Sequence, residues 1–211
     1  MKAEKFSKPP ATAGDRRPRA SAAERLAAAA LGAFNERGIA AAPIDEVIAA
    51  SGASVGSLYH HFGSKEGLGG HLFLRALASF QDAFAGELRE RADAEGGIRA
   101  GVRVQLDWAL RAEPDLARFL LFQGGDAARG SAPGELEERN RAFYREVLAW
   151  WRPHVTYGAL RDLDPDIAYS LWLAPSQQYA RLRLGGRTSV PIKRAAAELS
   201  DGAWSALSKG D

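Results

Sequence analysis

An all-α fold of about nine helices is what this sequence predicts, and three observations carry the prediction. Apolar residues recur at three- and four-residue spacing along most of the chain. No stretch alternates well enough to be read as a strand, and Pro and Gly stand where helices of ordinary length would begin and end. The totals agree: 211 residues, 46% hydrophobic and 26% charged, suffice for one large globular domain or two small ones.

The elements follow in order. Residues 1–20 mix Lys, Arg, Pro and Gly with almost no apolar periodicity and read as a disordered basic arm. Ser21 and Glu24 then make a capping box, and the helix behind them carries Leu26, Ala29, Ala30, Ala33 and Phe34 on one face before Gly38 stops it. Pro43 opens a second, short helix through Val47 and Ile48 to Ser51, and Gly52 supplies the sharp turn. Ser54 caps a third helix from Val55 to about His61, and Ser64 caps a long fourth one from Lys65 to about Asp93. Further helices are expected near 97–111, 115–123, 134–153, 165–184 and 191–208. Pro114, Pro133, Asp164-Pro165 and Pro191 mark their starts; Gly124-Gly125, Gly158 and Gly185-Gly186 mark their ends. Pro175 must kink or break the helix it falls in.

Composition excludes several functions. There is no cysteine, hence no disulfide framework, thiolate metal site or cysteine nucleophile, as suits a reducing cytoplasm. No apolar run is long enough for a membrane span, and the start lacks a secretory apolar region, so no membrane partner is expected. His60 and His61 point about 100° apart on a helix and His71 has no spaced partner, so no metal is expected. The run SVGSL lacks the strand and second glycine of a nucleophile elbow, and nothing assembles a base, a nucleophile and an oxyanion donor. No catalytic residue and no cofactor is assigned; the chain reads as no enzyme.

Three short helices with a Gly turn between the second and third describe a helix-turn-helix unit. In such a unit the second helix of the motif lies in the DNA major groove. Val55 and Ser57 stand near the start of that helix, Gly56 lets backbone come close, and Tyr59 and His60 suit hydrogen bonds to phosphates. Leu58 and Phe62 would face the core, and Lys65 opens a helix whose free N–H groups favour an anion. Charge leans the same way: residues 1–75 hold ten Lys/Arg against seven Asp/Glu, and the remainder eighteen against nineteen.

"RLAAAALGAFNERGI" followed by "PIDEVIAASGASVGSLYHHFGSKEGL" resembles the DNA-binding domain of the TetR-like regulators over about residues 21–70. Gly38, the Val47-Ile48 pair, Gly52, Gly56-Ser57-Leu58-Tyr59 and Phe62 ahead of Ser64-Lys65-Glu66 keep the family's order and spacing. The resemblance implies a helix-turn-helix head at 21–66 and, at 67–211, a helical ligand-binding and dimerisation domain. It implies a homodimeric repressor on double-stranded DNA, paired through the helices near 165–184 and 191–208 and released by a small-molecule effector. Carried over as DNA contacts are Ser54, Val55, Ser57, Tyr59, His60 and Lys65, with Pro43 near the backbone. Two positions depart from the family pattern. Ala42-Pro43 replaces a frequent Thr at the start of the second helix, and Ile48 stands where a small residue is usual. Lys8, Arg16, Arg17 and Arg19 of the arm offer a replacement for the lost phosphate contact.

The second half is rich in aromatics. Singly each suits a core, but together they suit an apolar pocket with a few polar groups. Trp108, Phe119, Phe122, Gln123, Phe143, Tyr144, Trp151, Trp172 and Gln178 are the ligand candidates, for a flat or hydrophobic effector, cationic if Asp107 or Glu146 faces inward. Gly67, Gly69 and Gly70 fall within one turn, each costing about 0.8–1 kcal/mol relative to Ala, and are expected to form a weak turn on which the head swings. The rival readings are an activator or nucleoid-associated binder with the same head, and a ligand carrier that no longer binds DNA.

Overall fold

The computed structural model describes residues 20–123, 130 and 132–210. The basic arm with Lys8, Arg16, Arg17 and Arg19, and the helix end expected at Gly124-Gly125, lie outside the described residues. Ten α-helices are described: α1 (Ala22–Ala41), α2 (Ile44–Ser51), α3 (Val55–Phe62), α4 (Lys65–Arg89), α5 (Ala94–Asp107), α6 (Pro114–Phe122), α7 (Pro133–Thr156), α8 (Pro165–Trp172), α9 (Ala174–Leu184) and α10 (Ile192–Leu207). A π-helical turn, Trp108–Ala112, joins α5 to α6. Among the described residues extended pairing is limited to one bridge, Leu160 with Ser208.

Caps fix the first half. Ser21 Oγ accepts the Glu24 N–H at 3.2 Å and Glu24 Oε2 accepts the Ser21 N–H at 2.6 Å, the reciprocal box the sequence predicts. The helical path of α1 breaks at Gly38, whose φ of 79° belongs to glycine. Gly52, at φ 62°, turns α2 into α3, and Ser54 and Ser64 each accept an amide three residues on.

The differences from expectation have local causes. α4 ends at Arg89 because Asp93 caps α5, accepting the Gly96 N–H at 2.6 Å. The π-turn closes with Glu113 N–H on Trp108 O at 2.9 Å, just before Pro114 starts α6. α7 continues past Pro153, whose carbonyl accepts the Tyr157 N–H at 2.9 Å. The expected 165–184 helix is two helices broken at Leu173, with Pro175 in the first turn of α9, where its missing N–H does no harm.

Two cores result. Leu26, Ala27, Ala30, Phe34, Val47, Leu58, Leu68 and Leu72 close the head, joined from far along the chain by Phe119 of α6. The body centres on Phe84, Ile98, Leu106, Trp108, Trp151, Trp172 and Leu207. A groove on α5 admits its indoles: a Cβ at Gly97 would meet Trp150 at 2.0 Å, and one at Gly101 would meet Trp172 at 2.8 Å. The glycines opening α4 do similar work. A Cβ at Gly67 would stand 2.0 Å from the Phe62 carbonyl oxygen, and Gly69 and Gly70 are buried, so the turn where a loose hinge is expected is closely packed. α4 spans both cores, from Leu68 and Leu72 in the head to Phe80 and Phe84 in the body.

Candidate functional site

The head presents one exposed helix face. Leu58, fully buried, holds α3 down, and Val55 and Tyr59 are left 53% and 57% exposed on its outer side. Ser54 Oγ accepts the Ser57 N–H at 3.1 Å and lies 3.1 Å from Ser57 Oγ, which fixes both hydroxyls at the start of α3. Arg25 braces the turn behind them, donating to Ser51 O at 2.9 Å. His60 is exposed, its ring 5.0 Å from that of His61.

Pro43, Tyr59, Ser64 and Lys65 border one shallow depression between the starts of α2 and α4. The ammonium of Lys65 is already in use. It donates to Ala40 O at 2.7 Å and Ala42 O at 3.3 Å, capping the carbonyl end of α1. Of the seven DNA-contact candidates, Pro43, Tyr59 and Lys65 meet at this depression; Ser54 and Ser57 stand at the start of α3, Val55, Tyr59 and His60 are exposed on it, and Lys65 is tied to the end of α1.

In the body, a cavity of about 420 Å³ opens between α4, α7 and α8. Its aromatic walls are Phe84, Phe143, Tyr144, Trp151, Tyr169 and Trp172, with Val147 and Leu173 among the aliphatic lining. Phe84 stands edge-on to Phe143 at 5.7 Å and to Trp172 at 5.3 Å, and Trp151 lies 5.7 Å from Trp172. Partial burial pushes the Tyr169 hydroxyl above the ordinary phenol range, against the pull of a hydrogen bond from Gln177. Arg152, Thr156 and Asp162 supply the polar rim.

Of the nine ligand candidates the cavity gathers Phe143, Tyr144, Trp151 and Trp172. The other five are placed elsewhere. Trp108 is packed 5.3 Å from Phe80, its indole N–H on Ser79 Oγ at 3.0 Å. Phe119 is fully buried in the head core, stacked 6.2 Å from Phe34. Phe122 is 42% exposed at the end of α6, and Gln123 lies beside Gly38. Gln178 is on the exposed side of α9. A count of aromatics does not tell which core each will join; only the crossing of α6 over α1 assigns Phe119 to the head. Asp107 and Glu146, the acids that would have favoured a cation, pair instead with Arg111 at 2.8 Å and Arg89 at 3.0 Å, away from the cavity. Sequence reading missed Phe84, Arg152 and Asp162. Phe84 carried a faint signal, an aromatic one turn from Phe80 on the helix that leaves the head.

Among the described residues no three His, Asp or Glu side chains are grouped as a metal site, and no helix is long and apolar enough to cross a membrane.

Comparison with known proteins places these features. Residues 26–70 match the model of the bacterial regulatory proteins, tetR family. A TetR family transcription regulator from Marinobacter aquaeolei superposes with a TM-score of 0.72 at 18% identity, over 89% of this chain and 95% of that one. The TetR family transcriptional regulator PfmR from Thermus thermophilus does so at 0.64 and 23% identity, over 86% and 97%. A protein described as the superantigen PfiT reaches 0.71 at 18% identity, over 92% and 100%, so likeness at this level speaks for the fold alone. Residues 26–70 are thus a helix-turn-helix domain of the tetR family of bacterial regulatory proteins, and the chain carries it on the all-α fold of that family's transcription regulators.

Proposed function

We propose that the protein is a ligand-responsive transcription repressor that binds a two-fold DNA site as a dimer and is released by a small, largely apolar or aromatic effector. The observation that supports the reading is the exposure of Val55 and Tyr59 on α3, with Tyr59 beside Pro43 and Lys65, in a tetR-family domain. Residues 21–66 form the DNA-binding unit in this reading, and 67–211 the ligand-binding and dimerisation unit. The dimer forms through α8, α9 and α10, in line with the little that α9 buries of itself: Ser176, Tyr179 and Ala180.

Effector and DNA would communicate through α4. Its first residue borders the depression beside α3, and Phe84, nineteen positions later in the same unbroken helix, forms a wall of the cavity. A ligand that displaces Phe84 tilts a lever whose other end sets the head. A coupling of about 1–3 kcal/mol is enough for induction.

The test is selection of bound duplexes from a random DNA library by the purified protein at fixed moderate salt. The expected outcome is an enriched inverted repeat whose half-sites lie about one DNA turn, roughly 34–36 Å, apart. A folded, dimeric protein that enriches no sequence would overturn the repressor reading in favour of a ligand carrier.

A further inference from the structure

Resting on the effector-site reading of the cavity between α4, α7 and α8, we infer that its ligand is an uncharged, flat aromatic molecule with one hydrogen-bond acceptor, and that the Trp151 indole N–H takes that acceptor. Three of the body's indoles are satisfied within the protein: Trp108 on Ser79 Oγ at 3.0 Å, Trp150 on Arg91 O at 2.8 Å and Trp172 on Ile98 O at 2.9 Å. Trp151, only 6% exposed, donates to nothing among the described residues. Its nitrogen is not one of the fully enclosed unpartnered polar atoms, which are Asn35 Oδ1, Gln81 Oε1 and Arg139 Nε, so it keeps some accessible surface, and its side chain lines the cavity. With no partner among the described residues, the N–H is left for water or for a ligand in the cavity.

The remaining lining selects against charge. Arg152 and Asp162 are the charged residues on it, both exposed at the rim and without an ion pair among the described residues. They are of opposite sign, so the mouth favours neither kind of ion, and the interior holds no counter-charge to compensate one that loses its water. Tyr169 accepts a hydrogen bond from Gln177 and keeps its own O–H, and Tyr144 keeps a hydroxyl with no hydrogen-bond partner among the described residues; both side chains are exposed enough for water to meet them. The buried part of the lining adds aromatic faces and the Trp151 N–H around a volume of about 420 Å³ that suits two or three fused rings.

Four probes with one ring system separate these features: fluorene, 9-fluorenone, fluorene-9-carboxylate and 9-fluorenylmethylammonium, each titrated into the full-length protein by calorimetry. Fluorenone is expected to bind about fivefold more tightly than fluorene, as one net hydrogen bond allows, and both ions more weakly than either. In Trp151→Phe, which keeps a smaller aromatic wall, the preference for fluorenone over fluorene is expected to disappear, whatever loss the two probes share. Tightest binding by either ion, or an equal loss for both neutral probes in the variant, would overturn the inference and leave the cavity an effector site. Failure of all four probes to bind the folded protein would overturn the effector-site reading and the inference with it. The ranking in the unaltered protein tests the charge selection even if Trp151→Phe does not fold.

Discussion

The head packs Leu26, Ala27, Ala30, Val47, Leu58, Leu68 and Leu72, each at most 1% exposed, around the ring of Phe34, whereas the body builds its centre from Trp108, Trp151, Trp172, Phe80 and Phe84 and leaves a cavity of about 420 Å³ beside them. Small aliphatic side chains interdigitate to near-crystalline density. In the body, flat rings meet at angles of 31–65°, and the cavity opens beside them. The difference matches the work proposed for each part. A head that reads DNA has to hold α3 in one pose, and a body that takes up a ligand has to keep room for it.

Phe119 carries α6 into the head core, and removing it should have the largest effect. Phe119 comes from the body's α6 but lies in the head, stacked on Phe34, and next to it Asn35 Nδ2 donates to Asp115 O at 2.9 Å. Phe119→Ala is expected to cost about 3–5 kcal/mol in denaturant unfolding, as loss of a fully buried ring does. Phe122→Ala, at an exposed ring one turn on, is expected to stay within about 0.5 kcal/mol. Equal losses at the two sites would show that Phe119 is not what ties the head to the body.

The same contrast explains what could be read from the sequence. The head was legible almost entirely, because its signals are local: Ser21, Ser54 and Ser64 cap within three residues, and Gly52 turns within one. The body's helices were legible as helices, to within a few residues at their ends. Its cavity was not, since Phe84, Trp151 and Trp172 come from three helices spread over 89 positions and nothing near any of them says which face will meet which. Phe119 shows the limit most plainly. Its residue type suits a pocket or a core equally, and a contact 85 positions away decides the matter.

Lys65 sharpens the comparison from the head's side, with a smaller effect. Its ammonium sits on the last carbonyls of α1, where a cation is worth about 0.3–1 kcal/mol. Lys65→Met is therefore expected to lower stability by that amount. The informative readout is the salt dependence of DNA binding. If Lys65 only holds α1 against α4, the log–log slope stays unchanged while affinity falls. If its third proton also meets a phosphate, the slope drops by about 1.

The smallest effect should be one of pH, at the edge where the head's core meets α4. His71 lies with its ring 5.1 Å from Phe62, and loss of water on that side, with Arg75 one turn on, holds its pKa below the usual imidazole value of 6.5; Glu135 of α7 pulls weakly the other way. A histidine whose folded pKa is depressed binds fewer protons folded than unfolded. The stability it leaves intact at pH 7 and above is lost as the pH falls through about 6.5, the unfolded value, toward the lower folded one. The melting temperature of the protein is thus expected to drop between pH 7.5 and 5.5, and His71→Leu, which keeps the contact with Phe62 and removes the proton, should make that drop shallower. Since much of the ring edge still meets water, the change is modest and the proton has an easy way in. An unaltered pH profile in His71→Leu would move the acid sensitivity to His154, whose ring lies 4.5 Å from Trp150 and whose pKa burial lowers in the same direction. The body would then be the part that acid loosens first.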